Sequence, residues 1–412
     1  MSSEKFKKNV YPWIVVGLLW IVALLNYMDR QMLSTMRAAM QADITELESA
    51  IFFGKLMAIF LWVYGILSPF AGAVADRINR KALIIGSLGV WSAVTLLMGH
   101  CHTFAQLYWL RALMGVSEAL YIPAGLSLIA DYHPGKTRSL ATGIHMTGIY
   151  IGQAAGGFGA GLASAFTWQG TFHWFGVIGL AYAVVLLFFL KDIRPGEPAS
   201  GKTAKVKVPV LKAFGYILSS GAFWAILFFF ASTSLPGWAT KNWLPTLFNE
   251  SLGIPMTKAG PMSTITISAA SFMGVILGGT LSDRWVLRNL KGRVYTSAIG
   301  LAMMIPSLLL LGFSHSMAGL LAAGTLFGIG YGMFDTNTMP ILCQFIPGRM
   351  RGTAYGILNM TGVFFGALVT TVLGALADGG RLGLGFALCG VMVALALAVQ
   401  LIVLNPVTDN ME

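Results

Sequence analysis

The side chains of this sequence that can do chemistry are the few ionisable residues set inside long apolar runs. One run contains Asn26-Tyr27-Met28-Asp29-Arg30-Gln31, and another contains Arg111-Ala-Leu-Met-Gly115-Val-Ser-Glu118-Ala119. On a helix, the seven residues from Arg111 to Glu118 make two turns, so both lie on one face about 10 Å apart. Tyr27 and Arg30 also share a face, whereas Asp29 is turned about 100° away from Arg30. A division of labour follows. Guanidinium matches a carboxylate in a bidentate fork and stays charged at any relevant pH, so Arg30 and Arg111 are candidates for binding an anionic group. Asp29 and Glu118 are candidates for carrying a proton. Burial and a nearby guanidinium act on a carboxyl in opposite senses, and an arriving anion changes that balance. The plainer alternative is that Asp29 with Arg111, or Arg30 with Glu118, are buried ion pairs that only join helices.

The elements that hold these residues must cross lipid. The chain has 412 residues, of which 56% are hydrophobic and 10% charged, and its mean hydropathy is +0.73. A soluble globular chain carries about 25% charged residues, so a soluble enzyme is excluded. A helix needs about 20 mostly apolar residues to span a bilayer. Breaks at charged or Pro/Gly-rich positions give twelve such stretches: 13–36, 50–75, 82–99, 104–132, 138–163, 170–190, 215–247, 259–282, 294–313, 317–345, 352–376 and 382–405. The first follows Lys5, Lys7 and Lys8, lacks a small-residue cleavage site, and reads as a retained span rather than a leader.

The net charge of +11 raises nucleic acid as a partner, but a basic groove needs a water-soluble surface, and the basic residues have another explanation. With both termini cytoplasmic, twenty of the 27 Lys and Arg fall in cytoplasmic segments and three, Arg37, Lys258 and Arg381, in outer loops. The other four, Arg30, Lys55, Arg111 and Lys241, lie within spans. The charge is a topology signal, and no nucleic-acid partner is expected. The three cysteines, far apart in apolar runs, give neither a disulfide framework nor a metal spacing.

The longest polar stretch, Lys191 to Lys212, contains Pro195, Gly196, Pro198, Gly201 and Pro209 and reads as a cytoplasmic linker. The expected organisation is a six-helix bundle over 1–190, a linker over 191–214 and a second bundle over 215–412. Internal similarity supports this. Gly72-x-x-x-Asp76-Arg77 recurs as Gly279-x-x-x-Asp283-Arg284, offset by 207, and Pro134-Gly135-Lys136-x-Arg138 recurs as Pro347-Gly348-Arg349-x-Arg351, offset by 213. Repeats in same-orientation positions imply two bundles related by an axis along the membrane normal.

Gly72-Ala-Val-Ala-Asp76-Arg77-Ile-Asn-Arg80-Lys81 resembles the signature loop between helices 2 and 3 of the major facilitator superfamily, and the resemblance spans nearly the whole chain. It implies an all-α membrane protein of twelve helices that works by alternating access, with a cytoplasmic gate at Asp76, Arg77 and Arg80 and weaker counterparts at Asp283 and Arg284. The helix 1 Asp-Arg and the helix 4 Arg and Glu resemble the anion:cation symporter branch, which carries hexuronates, aldonates and sialic acids. The same residues fit spinster-type lipid transporters. Tyr121-Ile-Pro123-Ala-Gly125 leans to the sugar-acid side, whereas Thr147-Gly148-Ile149 departs from it, where a Gln is expected after the Gly.

The resemblance implies proton-coupled uptake of a small organic anion, with Arg30, Arg111, Tyr27 and Tyr64 binding substrate and Asp29 and Glu118 coupling the proton. Asn359 corresponds to a substrate-contacting Asn of the sugar-acid branch. Trp238, Lys241 and Asn242, near the outer end of span 7, are further binding candidates; Lys241 reads equally as a gate residue or a snorkelling lysine. Asp335 is a candidate for substrate hydroxyls, for cation coupling or for pairing with Lys241, and His145 for titration, against plain helix-joining and interior packing. Gly148, Gly152 and Gly156 read as a seam between spans 5 and 8, answered by Gly274, Gly278 and Gly279, or as tight packing. No metal or organic cofactor is expected; the coupling ion is a proton, with Na⁺ as the alternative. The expected setting is a monomer in a bacterial inner membrane. The rivals are a lysolipid or sphingolipid transporter and a non-transporting nutrient sensor. A membrane enzyme is weakest, since no nucleophile-base set appears.

Overall fold

The computed structural model describes residues 3–75, 78–133, 137–192 and 210–409. The gate residues Asp76 and Arg77, the Pro134-Gly135-Lys136 turn and linker residues 193–209 lie outside the described residues. Fourteen α-helices run through the rest: α1 Ser3–Met40, α2 Ala50–Ala75, α3 Arg80–Met98, α4 Phe104–Glu118, α5 Tyr121–Tyr132, α6 Arg138–Gly156, α7 Gly159–Phe189, α8 Val210–Ser219, α9 Gly221–Leu252, α10 Met256–Val286, α11 Gly292–Phe313, α12 Met317–Phe345, α13 Arg351–Asp378 and α14 Leu382–Val403. No strand occurs among the described residues.

Eleven helical segments among the described residues are long and apolar enough to cross a membrane, α4 and α5 together counting as one. That pair breaks at Ala119-Leu120, just ahead of Pro123, whose missing N–H removes a helical hydrogen bond. The expected fifth span, α6, is not among the eleven: four glycines with His145 and Gln153 dilute its apolar content. Large apolar side chains such as Trp109, Phe188 and Leu388 are exposed, as helix faces turned to lipid require. The chain is an all-α, multi-pass membrane protein.

Helix ends are fixed locally. The Asn79 side chain accepts from the Ala82 N–H at the start of α3, and Thr103 and Gln106 form a capping box on α4. Two basic residues read as flanking spans lie on the end turns of helices. Arg37 lies in the last turn of α1, where it donates to the carbonyls of Leu47 at 3.0 Å and Glu48 at 2.5 Å and so holds the short 3-10 turn Thr45–Glu48. Lys258 lies in the first turn of α10.

The helices form two compact units, one of residues 1–48 and 62–203, the other of residues 49–61 and 204–412. In the first, α1 packs along α6 and α3 along α7; in the second, α9 packs along α13 and α11 along α14. The first half of α2 belongs to the second unit because it packs on α13. A β-carbon on Gly374 would lie 2.6 Å from the Ala50 carbonyl oxygen, and one on Gly54 would lie 2.8 Å from that of Thr370.

Each glycine stripe has a partner inside its own unit. Gly148, Gly152 and Gly156 of α6 lie against the backbone of Trp20, Leu24 and Met28 on α1, while Gly274 and Gly278 of α10 lie against Ile329 and Met333 on α12. Small residues at this spacing let two backbones approach within one unit, and the pattern does not encode which partner answers it.

Candidate functional site

The first unit gathers the buried charges. Arg30 of α1 and Glu118 of α4 form an ion pair in which Arg30 Nε donates to Glu118 Oε2 at 2.5 Å, with side-chain exposures of 11% and 0%. The guanidinium lies 5.0 Å from the ring centroids of both Tyr27 and Tyr64, so two aromatic faces flank it. Tyr27 shares its helix face as the spacing predicts, and Tyr64 reaches it from α2. Arg111 is buried on the same face of α4 as Glu118, and its Nη1 donates to the soft, weak acceptor Met114 Sδ at 3.1 Å. Asp29, turned away from Arg30, meets α3, where the Thr95 hydroxyl approaches Asp29 Oδ2 at 3.4 Å and the Trp91 carbonyl at 3.0 Å. Asp29 and Arg111 also interact electrostatically with each other and with Glu118. Two guanidinium groups thus lie beside two buried carboxyl groups, so charge on one can offset the cost of burying charge on another. Asp29 Oδ1 and Glu118 Oε1 are buried without a hydrogen-bond partner among the described residues, so each acid keeps one acceptor uncommitted there.

The second unit holds a smaller cluster. Lys241 Nζ of α9 lies 4.7 Å from the Trp238 ring centroid and 6.0 Å from that of Tyr331 on α12. Asp335, one turn after Tyr331, is exposed in the middle of α12 and interacts electrostatically with Lys241. The remaining sequence candidates go elsewhere. Asn242 Nδ2 donates to Thr370 Oγ1 at 2.8 Å, which ties α9 to α13. Asn359 is half-buried on α13. His145 is fully buried on α6, with its ring 6.1 Å from that of Tyr121.

Among the gate residues, Arg80 pairs with Asp131 of α5, and Asp283 faces Arg293 at 3.9 Å rather than its neighbour Arg284, which is exposed. Sequence reasoning missed Thr95, Asp131 and Tyr331. A lone Thr in an apolar run carries no signal, but Tyr331 stands one helical turn before Asp335, and that spacing was available.

The Major Facilitator Superfamily model matches residues 19–305. The D-galactonate transporter of Escherichia coli O6:H1 is 25% identical over 402 residues, covering 89% of this chain and 89% of its own. The 3-(3-hydroxy-phenyl)propionate transporter of Escherichia coli (strain K12) is 29% identical over 398 residues, covering 93% and 90%. Among solved structures, a bacterial homolog of the human lysosomal transporter Spinster superposes with a TM-score of 0.80 at 20% identity, over 95% of this chain and 96% of that one. With its helical architecture and a family model matched over most of its length, the chain belongs to the Major Facilitator Superfamily and is a membrane transporter rather than an enzyme.

Proposed function

We propose that this transporter takes up a small organic anion, of the sugar-acid kind, in symport with a proton. The observation that carries the reading is the ion pair between Arg30 and Glu118, beside Arg111 and Asp29. Arg30 cannot give its Nε–H to a substrate carboxylate while Glu118 holds it. Protonation of Glu118 removes the charge that makes this hydrogen bond strong, and the guanidinium becomes available to an incoming anion. Proton and anion are thereby bound together. Asp29 is the second proton carrier. One hydroxyl proton cannot serve both of Thr95's neighbours, and the shorter distance is to the Trp91 carbonyl, so a protonated Asp29 can donate to Thr95 Oγ1.

The two relatives are named for D-galactonate and for 3-(3-hydroxy-phenyl)propionate, both carboxylates, which supports a carboxylate on Arg30 and Arg111. Tyr27 and Tyr64 hold the arginine, and Trp238, Lys241, Asp335 and Asn359 are the further contacts we assign to substrate. Asp76, Arg77 and Arg80, with Asp283 and Arg284, gate the cytoplasmic side. We place the protein in a bacterial inner membrane as a monomer with both termini cytoplasmic. The deciding experiment reconstitutes it in liposomes, imposes a pH gradient and screens hexuronates, aldonates, sialic acids, phenylpropionates and lysolipids. Uptake of an acid driven by an inwardly directed proton gradient is expected; transport of lysolipids alone would overturn the reading.

A further inference from the structure

Asn26 is wholly buried in α1, and neither end of its carboxamide has a hydrogen-bond partner among the described residues. Leaving a buried polar group unpaired is costly, so this side chain needs a partner. Its position indicates which. At 100° per residue, Asn26 points between its neighbours on the next turn, about 60° from Asp29 on one side and about 40° from Arg30 on the other. Helical side chains lean toward the N-terminus, so Asp29 and Arg30 lie over the turn that carries Asn26. Arg30 brings Glu118 to the same place through their 2.5 Å hydrogen bond.

The two uncommitted acceptors, Asp29 Oδ1 and Glu118 Oε1, therefore belong to groups associated with the turn next to the carboxamide, Asp29 directly and Glu118 through its hydrogen bond to Arg30. The acids are not hydrogen-bonded to each other: Asp29 meets Thr95 and Glu118 meets Arg30. A proton passing from one to the other needs a carrier.

We propose that Asn26 holds a buried water between Asp29 Oδ1 and Glu118 Oε1, and that the proton moves between the two acids through that water. The inference rests on the reading of Asp29 and Glu118 as the coupling pair. A buried water typically makes about three hydrogen bonds, and here Asn26 Nδ2 donates to it, Asn26 Oδ1 accepts from it, and the carboxyls complete the set. In the transfer, protonated Asp29 gives its proton to the water oxygen while the water gives one of its own to Glu118. One O–H bond breaks at Asp29 and one forms at Glu118; the water is unchanged and the negative charge moves to Asp29. Asn26 does not titrate and is a positioning residue. A sodium ion could engage the same oxygens but would leave Nδ2 without an acceptor, which favours water.

The test is acid-minus-alkaline difference infrared spectroscopy on the full-length protein in lipid, the carboxyl bands being assigned by their loss in Asp29→Asn and Glu118→Gln. The wild type should show a water O–H band that shifts in water labelled with heavy oxygen. Asn26→Leu should lose that band while both carboxyl bands persist, and Asn26→Ser, whose hydroxyl donates and accepts, should keep it. Asn26→Val gives the same reading if leucine prevents folding. An unchanged water band in the apolar variants overturns the proposal alone. Absence of the carboxyl bands overturns the coupling pair and the proposal with it. Carboxyl bands that shift when sodium replaces choline at constant pH overturn the assignment to water.

Discussion

Arg30 Nε and Glu118 Oε2, joined at 2.5 Å, link α1 to α4 through a partly buried charge-assisted hydrogen bond, and the second carboxylate oxygen of Glu118 stays uncommitted among the described residues. A carboxylate that competes with substrate for one guanidinium couples the two bindings. Arg30→Ala is expected to abolish uptake. Arg30→Lys keeps the charge but loses the fork and the planar fit between Tyr27 and Tyr64; at about 1.5–3 kcal/mol, roughly a 10- to 150-fold loss of substrate affinity is expected. Glu118→Gln should retain substrate exchange across liposomes but lose accumulation against a gradient. Normal proton-driven accumulation by that variant would sink the coupling scheme.

The close approach of α6 to α1 sets where Asp29 and Arg30 stand. A β-carbon on Gly152 would lie 2.4 Å from the Leu24 carbonyl oxygen, whereas one on Gly143 of the same helix meets nothing within 4 Å. Gly152→Ala should therefore lower thermal stability and uptake together. Gly143→Ala should be neutral or stabilise by up to about 1 kcal/mol through helix propensity. Scanning fluorimetry on the two variants checks this directly, and equal effects would rule out backbone contact as the cause.

The contrast marks how far the sequence was readable. Spans were legible because lipid leaves only long apolar helices as solutions, and the charges of Asp29, Arg30, Arg111 and Glu118 stood out because lipid excludes them. The partners were not legible. Spacing offered Arg30 with Glu118 and Asp29 with Arg111 on equal terms, since periodicity fixes faces and not neighbours. It also could not tell that Gly148, Gly152 and Gly156 answer α1, that Asp283 faces Arg293, or that the start of α2 packs on α13. Those are set by tertiary packing among helices of nearly identical composition.

Asp378, the last residue of α13, caps the start of α2. Its Oδ1 accepts from the Ala50 N–H at 2.5 Å, and its Oδ2 accepts from Ser49 Oγ at 2.7 Å and the Ile51 N–H at 3.0 Å. A carboxylate at a helix N-terminus satisfies orphan donors and complements the dipole. Asp378→Ala should cost about 0.5–2 kcal/mol and lower the unfolding temperature by a few degrees, with Asp378→Asn intermediate. An unchanged melting profile for Asp378→Ala would show that the cap adds no net stability.

Thr167 breaks α7 with φ 65° and ψ 161°, a backbone region that is essentially glycine's. The same residue supplies a cap, its Oγ1 accepting from the Gly170 N–H at 3.1 Å. Thr167→Gly relieves about 1–3 kcal/mol of strain while losing only a few tenths of capping, so net stabilisation is expected. Thr167→Ala keeps the strain and loses the cap, and should destabilise. Opposite signs for the two variants in thermal unfolding are the check.

Lys241 and Asp335 allow a sharper test than single substitutions give. Their charges interact, and Trp238 and Tyr331 flank the ammonium. Removing one member of such a pair leaves the other charge uncompensated in a low-dielectric setting, which is costlier than removing both. If mutual neutralisation is their main task, Lys241→Met and Asp335→Asn each lower uptake severely, and the double variant regains part of it. If each contacts substrate separately, the losses add instead. Partial rescue is expected, because Asp335 stands in mid-helix of a membrane protein and its charge interacts with that of Lys241. Uptake of the acid identified in the liposome screen, measured for the two single variants and the double, yields the coupling energy, and additive losses would return both residues to separate roles in binding.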